Sequence, residues 1–144
     1  MAQTPVSDPE KWACENYRKN TSHPEELRHR TIRGDLVRSK SEVIIANALF
    51  TKGIPYRYDE VITIGNITVS PDFHILIPRT GDSKWLEHFG MIHDEGYRKK
   101  AMWKIEAYLK NGFKPWEDII FTFDDLEGNI NAQLIDTILN TFCI

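Results

Sequence analysis

Residues 67–89 read ITVSPDFHILIPRTGDSKWLEHF, and their pattern decides the fold. Ile67, Val69, Phe73, Ile75 and Ile77 fall on one parity, which is one face of an extended strand. Thr68, Ser70, Asp72 and His74 fall on the other face. Pro78 to Ser83 supplies a turn, after which Lys84–Phe89 alternates again. Trp85, Glu87 and Phe89 point one way along this strand, and Lys84, Leu86 and His88 the other. Pairing through the turn lets Asp72 and Glu87 project side by side. An aspartate directly after a proline, among β-formers, is an unusual strand residue.

Working outward, Tyr56–Ile64 is rich in tyrosine and β-branched residues and is expected to pair with Ile67–Ile77 across the Gly65-Asn66 turn. Upstream, Val43, Ile44, Ala46, Asn47, Leu49 and Phe50 give an amphipathic helix from Ser39 that stops at Gly53. Downstream come a helix over roughly 94–111, a strand at Ile119–Phe123 and a closing helix over 130–142. Helix, three strands, helix, strand, helix is the order of an α/β domain, with a central mixed four-stranded sheet flanked by helices. Residues 1–36 are polar and broken by Pro5, Pro9, Pro24 and Gly34, so they read as an N-terminal helical arm to a domain at 37–144.

With 41% hydrophobic and 27% charged residues, the 144-residue chain has the composition of one ordered domain. No apolar run suits a membrane span, which leads us to expect a soluble, cytoplasmic protein. Cys14 and Cys143, and the histidines at 23, 29, 74, 88 and 93, have no zinc-site spacing. The net charge of −3 does not favour nucleic acid, but it is unevenly spread. Residues 18–40 hold Arg18, Lys19, Arg28, Arg30, Arg33, Arg38 and Lys40 against three acids, whereas 117–136 holds acids and no lysine or arginine. Such a split leaves one face attractive to DNA, or simply two solvated surfaces.

Two adjacent carboxylates in a partly buried sheet resist ionisation unless a cation lies between them. Their hard oxygens suit Mg²⁺, with Mn²⁺ as substitute. Taken singly, Asp72 also reads as a bulge or edge residue and Glu87 as the partner of a lysine.

Ser39-Lys40-Ser41-Glu42 at a helix start, Pro71-Asp72-Phe73 in one strand and Trp85-Leu86-Glu87-His88-Phe89-Gly90 in the next resemble the PD-(D/E)XK nuclease superfamily. The likeness is closest to a bacterial and phage branch with an Arg-Ser-Lys-Ser-Glu helix start and a Glu-His-Phe-Gly strand, and it covers roughly residues 30–125. It implies a restriction-endonuclease-like core and Mg²⁺-dependent hydrolysis of DNA to 5′-phosphate products. Glu42, Asp72 and Glu87 match the family's acids, with the main-chain carbonyl of His88 as a further metal ligand. The motif lysine is missing, because Phe89 stands in its place. Related branches carry it on the following helix, where Lys99, Lys100 and Lys104 are available. Tyr97, Ala101, Lys104 and Tyr108 share a helical face, which singles out Lys104, with Lys100 second.

Each assignment has a structural counterpart. Glu42 completes a capping box with Ser39, Lys104 snorkels to water, and His88 is a hydrogen-bonded structural group. Arg38, Lys40 and Lys100 are the expected contacts to the DNA backbone. Trp85, Trp103 and Trp116 read as core or rim aromatics. The competing functions are a catalytically inactive nucleic-acid-binding module and a protein-interaction domain, both retaining the fold. A homodimer, or a larger defence or mobile-element assembly, is the expected protein context.

Overall fold

The computed structural model describes residues 8–144, so the first seven residues of the expected arm lie outside it. The core runs α2 (Lys40–Thr51), β3 (Tyr56–Tyr58), β6 (Phe73–Ile77), β7 (Asp82–Phe89), α3 (Glu95–Lys110), β8 (Ile119–Phe123) and α4 (Ala132–Phe142). The remaining elements are α1 (Pro9–Cys14), β1 (His29–Arg30), β2 (Leu36–Val37), β4 (Ile62–Ile64) and β5 (Ile67–Val69). The main sheet has the order β3-β6-β7-β8, antiparallel except for the parallel β7–β8 pair. It is a mixed four-stranded sheet with helices on both faces.

Parity along the strands sorts the two faces. Phe73, Ile75, Leu86 and Ile120 pack with Ile45, Leu49, Ile135 and Leu139, so α2 and α4 cover one side. On the other, Tyr108 of α3 packs with Ile119, Ile64 and Val69, backed by Trp85 and Phe121. Helix boundaries follow local chemistry. Ser39 caps α2 by accepting from the Glu42 amide, and Asp94 caps α3 by accepting from the Tyr97 amide. Gly53, at φ +69°, ends α2 in the left-handed conformation that suits glycine.

The two long strands expected at 56–64 and 67–77 are each broken in two. Tyr56 pairs with Ile75 and Ile62 with Val69, so a single register runs the whole length of the ribbon. At the break Asp59 adopts φ +61° and Pro71 has no amide to give a ladder. The distal half, β4–β5, therefore leaves the main sheet and folds against the α3 side.

The arm seals this break. Val61 N donates to Arg18 O at 2.8 Å and Asn20 N to Asp59 O at 2.9 Å, so the arm lies along the kink like a third short strand. Tyr17 Oη donates to Tyr58 O, and Arg57 donates to Trp12 O. The small hairpin β1–β2 also belongs to residues expected to be arm, and Leu27 packs on the main core.

Arg38 ties these parts together. Its guanidinium bonds the buried Asp59 carboxylate, the Ser22 carbonyl and the Tyr58 hydroxyl. Burial lifts the Asp59 carboxyl above its ordinary value even with that cation beside it. Arg38→Met removes the cation and leaves Asp59 without a partner, which should lower the unfolding free energy by about 3 kcal/mol. Urea titration checks this, and an unchanged midpoint would show that the pair does not hold the kink.

Candidate active site

The β6–β7 register pairs Phe73 with Leu86, and one step further sets Asp72 across from Glu87. Both carboxylates lie on the α3 side. Asp72 Oδ2 accepts from the His88 amide at 2.7 Å, a bond that crosses to the neighbouring strand and fixes the aspartate at the kink. Glu87 is 2% exposed, and its Oε1 lies 2.5 Å from Lys104 Nζ. Its Oε2 is buried with no hydrogen-bond partner among the described residues.

Lys104 reaches Glu87 because α3 lays one stripe on the sheet. Tyr97 Oη accepts from the Gly90 amide at 3.0 Å, Ala101 is buried, and Tyr108 is fully buried. The Tyr108 hydroxyl lacks a partner too. Phe89, two positions after Glu87, packs against Phe121 and Phe123.

Glu42 comes from the opposite wall. Its Oε1 accepts from the Arg38 amide at 2.9 Å and the Tyr58 hydroxyl at 3.0 Å. The capping box is therefore only half formed, since Glu42 reaches past the Ser39 amide to that of Arg38. The carboxylates of Glu42, Asp72 and Glu87 do not all approach within 4.8 Å of one another. All three, with Lys104, line one cleft of about 560 Å³.

Electrostatics follow from this crowding. Burial, then the charges of Glu87 and Glu42, push the Asp72 carboxyl well above its ordinary value. Burial raises Glu87 as well, and the Lys104 ammonium only partly reverses it. Burial works against the charge on Lys104, but Glu87 outweighs it and holds the ammonium above its ordinary value. One lysine thus serves two buried carboxylates. The donors facing the cleft are hard oxygens, and one of them is an unpaired carboxylate oxygen. This set fits a hard divalent cation, with Asp72 and Glu87 as the residues to hold it.

The other expected contacts are dispersed. Lys100 is exposed and lines the cleft, Arg38 lines it but is taken up by Asp59, and Lys40 is exposed outside it. Lys99 pairs with Glu95 on the outer face of α3. The His88 ring is held by Thr122 Oγ1 at 2.7 Å and Asp124 Oδ1 at 2.8 Å, and Ser41 Oγ donates to the same oxygen at 2.8 Å. Sequence reading missed Asp124, which lines the cleft and joins α2, β7 and the end of β8. No local pattern links residues 41 and 124. An exposed group, His23, Glu25 and Glu26, also went unrecognised.

No family model matches the chain, and no solved structure matches it. An uncharacterized protein of Methanocaldococcus jannaschii is 39% identical over 110 residues, which is 76% of this chain and 9% of that protein. The chain therefore spans a small part of the relative it matches. A matched stretch of that length must include residues 35–110, and so the segment carrying Glu42, Asp72, Glu87 and Lys104.

Asp72→Asn keeps an oxygen for the His88 amide while removing one of the crowded charges. In EDTA it should melt a few degrees above wild type, on the order of 1 kcal/mol. Because the folded-state value of Asp72 is raised, wild type loses stability as pH rises through that value. The variant's advantage should therefore be absent below the ordinary aspartate value of 3.8 and grow above it. Scanning fluorimetry between pH 4 and about 8 reads the difference, and a variant less stable throughout would refute the crowding.

Proposed function

We propose that the chain is a Mg²⁺-dependent deoxyribonuclease with a restriction-endonuclease-like core. The observation that carries this reading is the buried, unpaired Oε2 of Glu87 beside Asp72 in a cleft that also holds Lys104. Asp72 and Glu87, with the main-chain carbonyl of His88, would hold the ion, and Mn²⁺ would substitute for it. When bound, the ion supplies Lewis-acid polarisation of the scissile phosphate and lowers the pKa of the attacking water.

The chain's own residues do the rest. Glu42, held by the Arg38 amide and Tyr58, would complete the ion's shell directly or through water. Lys104, whose ammonium lies against Glu87, would orient the nucleophile and offset charge on the phosphate as it is attacked. Tyr97 fixes Gly90, and so the strand end at the mouth of the cleft. Lys100 at that mouth supplies a phosphate contact.

In the test, purified protein is incubated with supercoiled plasmid and with single-stranded DNA. Nicking should require Mg²⁺ or Mn²⁺ and stop with EDTA. Asp72→Asn and Glu87→Gln should lose at least about a hundredfold in rate, and Lys104→Ala about the same. Mn²⁺ should also raise the melting temperature of wild type but not of Asp72→Asn. Variants that cut as fast as wild type would end the proposal. DNA binding without cleavage would favour the inactive binding module instead, and neither binding nor cleavage a protein-interaction domain.

A further inference from the structure

Lys104 borders more than one cavity. A second cavity, of about 430 Å³, shares that lysine and runs between the arm and the α3 side of the molecule. Residues 18–22 form one wall, and Thr68 to Ser70 with Trp103 form the other. Its charged side chains are Arg18, Lys19 and Lys104, with no carboxylate among the lining residues. In a chain of net charge −3 this is a local cationic strip, surrounded by hydroxyls able to donate to phosphate. The strip is fixed, because the Arg18 carbonyl and Asn20 amide are bonded into the kink of the ribbon. Neither Arg18 nor Lys19 pairs with a carboxylate among the described residues. Trp103 precedes Lys104 in α3 and is 57% exposed, an indole at the rim with nothing packed over most of it.

A positive track with an aromatic at its edge is how proteins take single strands, phosphates on the cations and a base against the ring. We infer that this channel binds a single polynucleotide strand and leads it past Lys104 to Asp72 and Glu87. The inference rests on the nuclease reading for what happens at the acids, but binding in the channel is measured without cleavage.

The experiment uses fluorescence anisotropy of the full chain in EDTA, with a labelled oligothymidine of roughly twelve nucleotides, the matching oligouridine, and a duplex of equal length. The oligothymidine or oligouridine should bind more tightly than the duplex. Replacing Arg18 and Lys19 together by alanine should weaken strand binding about tenfold. It should also lower the log–log salt slope by about 1.4, because each phosphate that a cation neutralises on a single strand adds ~0.7. Trp103→Ala should cost about tenfold, with Trp103→Phe restoring most of it. Lys110→Ala, exposed at the far end of α3 and outside the channel, should change nothing. Absent strand binding, equal affinity for the duplex, or indifference to the Arg18 and Lys19 changes would overturn the inference. A strand that binds here but survives Mg²⁺ upholds the channel and removes the nuclease reading. Full-rate cutting by the Arg18 and Lys19 variant does the reverse.

Discussion

Two carboxylates held on adjacent strands beneath a helix set the terms for everything near them. Glu87 lies within β7, and its pairing with Phe121 of β8 fixes its side chain on the α3 face. Asp72 is fastened to the same strand through the His88 amide. Burying an ionised carboxylate is unfavourable by far more than one hydrogen bond returns, so each needs a cation or a proton. Lys104 offsets Glu87, and Asp72 is left with a strongly raised value. The Tyr108 hydroxyl, also buried under α3, donates to neither.

The break in the ribbon makes the arrangement possible. Had residues 67–77 run on as one strand, Asp72 would sit in an uninterrupted ladder with its distal neighbours in plane. The left-handed Asp59 and the amide-less Pro71 turn the ribbon instead, leaving Asp72 at the end of β6 where the cleft opens. The kink exposes backbone groups, and the arm satisfies several of them. The same arm residues then form a wall of the cationic channel. A structural repair and a candidate binding surface are thus one piece of chain.

Much of this was legible because it depends on local period. The parity of Trp85, Glu87 and Phe89 against Leu86 and His88 follows from strand geometry, and the Tyr97–Ala101–Lys104–Tyr108 stripe from helix geometry. The element order and the limits of β8 needed only propensity and turn signals. The kink was not legible, since alternation continues through Ser70-Pro71-Asp72 and the bend depends on what the distal hairpin packs against. Arg38 looked like a free cation because its partner, Asp59, lies in another element. The Ser41–Asp124–His88 network joins residues brought together only by the sheet, so no spacing announces it. Trp103 differs from Trp85 through tertiary packing alone: one indole stacks on His74 and the other is left at the rim.

Lys104 reaches Glu87 from α3, not from β7. Phe89, two positions after Glu87, serves the packing between β7 and β8. The ammonium's placement then depends on how α3 docks, through Tyr97 at one end of the stripe and Tyr108 at the other. Loosening the helix would move the lysine without touching either acid. Two crowded acids, with a helix-borne lysine against one of them, are the arrangement that the proposed cation-dependent reaction would use.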